Sequence, residues 1–515
     1  MLARIYSAAI TGIDAYKVVI EVNSTGSGKD SYINIVGLPD SAVRESKDRV
    51  QSAIESSGLS YPYGKIIVNL APAGIKKEGA SFDLPIALGI LASNSSLDTH
   101  KISTGLFLGE LALNGSIRPV KGVLSSAILA SQEPDIEYLV VPHENASEAS
   151  IASGNKQVIP ASHLLEVYDF IQGKNHIKPF KTDLDIIKQN YDNSNSCLDF
   201  FDVKGQSYAK RALEVAAAGG HNILMIGPPG TGKSMLAKRI PSILPQMHLK
   251  EALQVTKTHS IVGILPPNTP LVLSRPFRSP HHTISDAGLL GGQSIPTPGE
   301  VSLAHNGVLF LDELPEFKRN VLEVLRQPLE NGYVTISRAS GTVTFPANFM
   351  LAAAMNPCPC GHFGSLQREC RCSSYQIQKY RNKISGPLLD RIDIHIEVNP
   401  INEAQLLKAP TGETSSSIKQ RVNTARNIQQ KRFEGKGIFS NSEMSSADLQ
   451  SFCSLDDECK NYLKHAIGEL HLSARAFDRI LKVSRTIADL ANCENLTLEH
   501  ICEAVQYRTL DRRLW

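Results

Sequence analysis

Apolar residues recur in two different rhythms along this chain. In 17–22, 65–70 and 137–141 they fill short runs, which predicts strands, whereas in 41–57, 84–92 and 123–131 they return at helical spacing. Residues 1–174 therefore read as an α+β domain. The stretch 175–200 is polar and irregular, with Asn190-Tyr-Asp-Asn-Ser-Asn-Ser196 near its end, and reads as a linker. From 201 the pattern becomes strand, glycine loop, helix, with further apolar strands at 307–311 and 349–354. That alternation predicts a layered α/β core over 201–400. Beyond 401 almost all the signal is helical, and 475–490 and 498–507 are strongly amphipathic, so a helical domain over 401–515 closes an α/β multidomain chain. No unit of about 20 to 50 residues repeats.

Composition narrows the class without naming a chemistry. At roughly 100 to 200 residues per domain, 515 residues suggest about three domains. Apolar residues make up 42% and charged residues 20%, ordinary values for a folded protein. The net charge of +2 is too balanced for a nucleic-acid coat or a polybasic membrane binder, so any DNA contact must be local. No run approaches about 18 consecutive apolar residues, and the first twenty residues carry Arg4, Asp14 and Lys17 where a signal peptide needs an apolar core. A cytoplasmic location with no membrane partner is expected. Nine cysteines, four of them packed into 358–372, fit a reducing compartment with one metal site better than a disulfide framework.

The chemistry begins at a glycine loop. The apolar run 222–226 leads into Gly227, Pro228, Pro229, Gly230, Thr231, Gly232, Lys233 and Ser234, and a helical stretch follows. Strand, loop and helix in this order form a P-loop: the glycines let backbone N–H groups turn around the phosphates of ATP, Lys233 reaches the β and γ phosphates, and the Ser234 hydroxyl ligates magnesium. The strand Val308-Leu-Phe-Leu ends in Asp312 and Glu313, which supply one carboxylate for hydrated magnesium and a second to polarise the attacking water. Asn356 stands at the end of the next apolar strand, where a neutral polar group can hold that water. Charge developing on a transferred phosphoryl group calls for arginine, and Arg391 in Leu388-Leu-Asp-Arg-Ile-Asp393 and Arg475 in Leu472-Ser-Ala-Arg475 have the context. Cys358, Cys360, Cys370 and Cys372 supply four thiolates, the ligand set of a closed structural zinc site on a short hairpin.

Together these segments resemble an AAA+ ATPase of the magnesium-chelatase-like group. The stretches between them, Arg275-Pro-Phe-Arg-Ser-Pro-His-His-Thr283, Pro298-Gly-Glu-Val-Ser-Leu-Ala-His305, Asn356-Pro-Cys-Pro-Cys-Gly361 and Gln506-Tyr-Arg-Thr-Leu-Asp-Arg512, are similar to the ComM (YifB) family over essentially the whole chain. The resemblance implies a Lon-protease-like N-terminal domain, an AAA+ core and a helical lid. It also implies ATP-driven branch migration on single-stranded, forked or branched DNA, without sequence preference, during recombination in natural transformation, with recombination proteins as further partners. By family position Asn356 is sensor 1, Arg391 the arginine finger given to a neighbouring subunit, and Arg475 sensor 2. A finger acting in trans implies a homo-hexameric ring. A chelatase-type or MoxR-type ATPase that remodels a protein partner shares every one of these nucleotide-binding residues and is the alternative.

In the N-terminal part, Lys77-Glu-Gly-Ala-Ser81 and Gly109-Glu-Leu-Ala-Leu-Asn-Gly-Ser-Ile-Arg-Pro-Val120 are similar to the Lon peptidase domain, with Ser81 at the nucleophile's position. The family's lysine position is Leu124 here, and Lys121 lies three residues away. A serine without a base is a poor nucleophile, so the expectation is a non-proteolytic scaffold. The segment 329–345 alternates and breaks at 339–341, which predicts a β-hairpin with Arg338 beside its turn. Projecting into the pore of a ring, that arginine would track DNA phosphates. The insert 257–299, with Lys257, His259, Arg275, Arg278, His281 and His282, is a second candidate for the same task.

Overall fold

Alternating burial along Asp14–Ser24 (β2) turns Val18, Ile20 and Val22 inward, and this strand forms a tight antiparallel hairpin with Leu2–Thr11 (β1). The computed structural model describes residues 2–25, 31–74, 77, 79–94, 97–182, 198–265, 269–292, 296–338, 341–364, 368–401, 412–470 and 472–510. They divide into two compact units, one within Met1–Ser194 and Leu249–Val272, the other within Asn195–His248 and Leu273–Trp515. Among the described residues no helix is long and apolar enough to cross a membrane.

In the first unit β1 and β2 sit inside a mixed seven-stranded sheet with Ser31–Val36 (β3), Gly64–Ala71 (β4), Gly105–Phe107 (β5), Tyr138–Pro142 (β6) and Gln157–Ala161 (β7), in the order β3-β4-β2-β1-β5-β6-β7. The helix Asp83–Ser93 is buried along its whole length. Its Gly89 faces β1 and β2 so closely that an added Cβ would lie 2.5 Å from Val22 Cγ2 and 2.8 Å from Ile5 Cδ1, a close approach that only glycine permits. The helices Ser41–Ser56 and Val123–Gln132 were legible as periodic stretches and stand where the spacing put them. Two features lie outside the boundaries read from sequence. Ile177 and Phe180, inside the segment expected as a linker, pack and pair with this unit, Phe180 N donating to Val158 O at 2.8 Å; residues 183–197 of that segment lie outside the described residues. The helix Leu249–Val262, expected within the continuous 201–400 core, also belongs here: Lys257 pairs with the Asp14 carboxylate, Ser260 Oγ donates to Glu148 at 3.4 Å, and Lys121 Nζ donates to Val262 O at 3.3 Å.

The second unit is built on a five-stranded, all-parallel sheet. Its strands are Ile223–Ile226 (β8), Phe277–Arg278 (β9), Val308–Leu311 (β10), Met350–Met355 (β13) and Ile394–Glu397 (β14), in the order β9-β10-β13-β8-β14. Tyr333–Arg338 (β11) and Gly341–Pro346 (β12) form the separate hairpin that the alternation predicts, and residues 339–340 of its turn lie outside the described set. Continuous apolar runs in β8, β10 and β13 are the signature of strands covered on both faces. Alanines at 352, 353 and 354, with those of Ser207–Gly219, keep the helix layer close to the sheet. The closing helices include Ser415–Arg432, Asp457–Leu470, Ala474–Leu490 and Leu498–Gln506; the last two are as amphipathic as read, and Ser473 caps the third by accepting from Ala476 N at 3.2 Å. Residues 402–411 and 511–515 of the helical segment lie outside the description.

Candidate active site

Parallel strands share one polarity, so the loops that follow β8, β10 and β13 all emerge at the same edge of the sheet. The strand order seats β13 between β8 and β10, and Asn356 therefore stands between the glycine loop and Asp312. The loop itself needs glycine. Gly230 and Gly232 have φ of 79° and 89°, and a Cβ on Gly227 would lie 2.2 Å from Val398 O. Lys233 turns its ammonium into this cradle, donating to Gly227 O at 2.6 Å, Pro228 O at 2.9 Å and Asn356 Oδ1 at 3.2 Å. Ser234 Oγ donates to Asp312 Oδ2 at 2.5 Å, and Thr231 Oγ1 is held by Pro228 O at 3.0 Å. A hydroxyl and a carboxylate in contact, beside a lysine and a ring of backbone amides, are the donor set that magnesium and a polyphosphate require.

Glu313 is half exposed and holds a left-handed backbone at φ 52°, uncommon for a residue with a Cβ and concentrated at functional turns. That turn separates the two carboxylates: Asp312 is engaged by Ser234 and by Glu313 N at 3.0 Å, while the Glu313 carboxylate points elsewhere and lies 3.5 Å from His282 Nδ1. The His282 contact was missed in sequence, although the 275–283 motif that carries it stood out. Of the other cations in that insert, Arg275 donates to Pro245 O and Asn306 O, both at 2.7 Å, and Arg278 grips Glu300 with two bonds of 2.7 Å, so both are bound to their own fold. Arg338 is exposed at the end of β11.

The two arginines lie at the other edge of the sheet. Arg391 precedes β14; its guanidinium is buried, donates to Pro387 O at 2.7 Å and pairs with Glu330. Arg475 lines a cleft of about 570 Å³ together with Asn222, Asn348 and Asp393, each just before a strand, and Glu330 lies in the same cleft and feels both arginines. The P-loop begins where β8 ends, so one strand length, roughly 13 Å for four residues, separates these arginines from their own chain's phosphate cradle.

Beside the cradle, the four cysteine sulfurs all lie within 4.8 Å of one another, Cys358 to Cys360 at 3.4 Å, Cys358 to Cys370 at 3.7 Å and Cys360 to Cys370 at 3.6 Å. A tetrahedron of Zn–S bonds of about 2.3 Å has edges of about 3.8 Å. Phe363 N donates to Cys358 Sγ at 3.3 Å, the backbone N–H that a ligating thiolate accepts. In the first unit Leu124 is fully buried, and Ser81 sits in a short turn whose carbonyl accepts from Gly109 N at 3.0 Å. Lys121 is committed to the end of the helix Leu249–Val262, where its charge suits the unpaired carbonyls.

Burial pulls the Lys233 ammonium down to about 8, with the Asp312 charge opposing that shift. A bound polyphosphate favours the ammonium, so at pH 8 nucleotide binding should take up about half a proton, falling toward none at pH 6.5. Calorimetric titration in buffers of different ionisation enthalpy measures this; equal heats in all buffers at pH 8 would mean that the free Lys233 ammonium is already fully protonated there.

Comparison with known proteins finds relatives along the whole chain. Residues 199–406 match the family described as magnesium chelatase, subunit ChlI; residues 20–145 match subunit ChlI of Mg-chelatase, and 412–508 match its ChlI C-terminal family. The chain is 46% identical over 517 residues to competence protein ComM of Haemophilus influenzae, covering 100% of this chain and 98% of that one. It is 43% identical over 520 residues to the protein YifB of Escherichia coli, again covering 100% of this chain and 98% of the relative.

Proposed function

The chain belongs to the ComM/YifB family of magnesium-chelatase-like AAA+ proteins, and from that premise we propose that it is a ring-forming, magnesium-dependent ATPase that drives branch migration on DNA during recombination. The observation that carries the ATPase half is the contact of Ser234 with Asp312 beside Lys233 and Asn356. When bound there, magnesium neutralises phosphate charge. The chain's own residues do the rest: the loop amides and Lys233 grip the phosphates, Ser234 and Asp312 hold the ion, Glu313 draws a proton from the attacking water, and Asn356 orients that water. Arg391 and Arg475, a strand length from their own cradle, serve the phosphate of a neighbouring subunit, which makes a homo-hexamer the working form. The same reading takes zinc for the four cysteines, on the fit of their spacing to a thiolate tetrahedron. The first unit is then a Lon-like scaffold without peptidase activity, since Lys121 is engaged at Val262 and Leu124 is buried.

Supporting DNA as the track is a hairpin that ends in an exposed arginine, a local contact that a ring of nearly neutral chains would repeat. The name of the ComM relative, a competence protein, points the same way. ATP turnover by the wild-type protein is expected to rise with forked or three-way-junction DNA and to lose the rise as salt increases, since about six phosphate contacts cost roughly 10³-fold in affinity between 50 and 200 mM. Arg338→Ala should lower DNA-stimulated turnover at least about tenfold and leave basal turnover and ring assembly intact. An active ATPase that ignores junction DNA at low salt would move the reading to an ATPase that remodels a protein partner.

A further inference from the structure

The cysteine knuckle touches the nucleotide cradle at two points. Asn356, whose Oδ1 accepts from Lys233 at 3.2 Å, is followed directly by Pro357 and Cys358, so the water-holding side chain and the first thiolate are separated by one rigid residue. Pro357 O accepts from Arg381 Nε at 3.3 Å, and the Arg381 guanidinium lies 5.1 Å over the ring of Phe363, inside the knuckle. On the other side, Gly361 lies against the P-loop. Its φ is 83°, and a Cβ there would stand 2.5 Å from Pro229 Cδ and 2.7 Å from Pro229 Cγ. Between Cys358 and Cys372 the described residues offer little apolar surface; Phe363 is 45% exposed, so burial cannot fix the loop's shape. A loop of this kind takes its shape from a metal or not at all.

We propose that the four-cysteine knuckle is the positioning element of the nucleotide site, and that a thiophilic divalent ion of the zinc class, bound by Cys358, Cys360, Cys370 and Cys372, sets Pro229 of the P-loop and Asn356 at once. Metal occupancy therefore gates nucleotide handling: the ion lies outside the chemistry, yet its loss lets Asn356 and Pro229 drift. This rests on the ATPase reading for its consequence, but nucleotide affinity reports on it without any turnover.

The test uses the full chain. Purified protein should carry about one zinc, and depletion with a strong chelator under reducing conditions should weaken binding of a fluorescent ATP analogue about 10- to 100-fold, the usual effect of loosening the groups that support a site. Turnover should fall in kcat as well as in affinity, helix content by circular dichroism should hold, and returning zinc should restore both. Cys370→Ser with Cys372→Ser should reproduce the depleted state and resist rescue. Gly361→Val probes the contact itself: a side chain strains the backbone at this φ, so zinc content is read beside affinity, and the variant that retains its zinc should bind nucleotide at least about tenfold more weakly, because the new side chain meets Pro229. Metal-depleted protein with unchanged nucleotide affinity overturns the proposal, and so does Gly361→Val with unchanged affinity. Zinc-dependent affinity in a protein that never hydrolyses ATP would keep the clamp and sink the ATPase reading instead.

Discussion

Glu313→Gln should bind ATP as the wild type does and hydrolyse it at least about 10²-fold more slowly, whereas Lys233→Ala should fail at binding itself. The two residues differ in what surrounds them. Lys233 is mostly buried and grips the cradle's own carbonyls, so its removal takes away the cation that a polyphosphate needs and leaves those carbonyls facing it. Glu313 makes no bond to the loop; its left-handed turn frees the carboxylate from the Asp312 pair, and a group so placed can accept a proton without disturbing magnesium. A glutamine of the same shape keeps the turn and loses only the proton acceptor. Filter binding with ATP and single-turnover hydrolysis separate the phenotypes. Wild-type turnover by Glu313→Gln would take Glu313 out of the reaction, and His282, 3.5 Å from it, would be the next group to replace.

The parts of this site that were legible in sequence are those whose chemistry is local. A glycine at 227, 230 and 232 announces the phosphate loop because the backbone there must adopt conformations or approaches closed to other residues, and the pair Asp312 and Glu313 announces itself at the end of an apolar run. The hairpin 333–346 and the amphipathic helices were legible for the same reason, since period follows from which face is buried. Pairings across the chain left no such trace. Nothing in the sequence places β13 between β8 and β10, yet that order brings Asn356 to Lys233. The helix Leu249–Val262 buries Glu251, Thr256, Thr258 and Ser260 beside Ala252 and Val255, and so mixed a face does not announce in sequence which unit it packs against. Glu330 and Arg391 are 61 positions apart, and although Arg391 stands out in its motif, nothing marks Glu330 as its partner. Gly361 reads as a turn glycine; only the fold reveals Pro229 against it.

Arg391→Ala should leave nucleotide binding by each subunit intact and lower hydrolysis about 10³-fold or more, the cost of losing an arginine that meets developing phosphoryl charge. The argument for trans action is geometric. Arg391 and Arg475 flank Glu330 at the edge of the sheet where strands begin, and the phosphate cradle lies where they end, so neither guanidinium reaches its own subunit's γ-phosphate without crossing the sheet. Glu330 supplies the counter-charge that makes a buried Arg391 tolerable outside a ring: Arg391 lowers the Glu330 carboxyl below the usual range, first through their hydrogen bond and then through its charge. A neighbour's nucleotide would offer a stronger anion to the same guanidinium. Mixing decides the matter. Rings made of Arg391→Ala and Lys233→Ala subunits contain interfaces where an intact loop meets an intact arginine, and partial ATPase should return there although each variant alone is inactive. Verified mixed rings with no activity would overturn the trans assignment and leave Arg391 as the structural partner of Glu330.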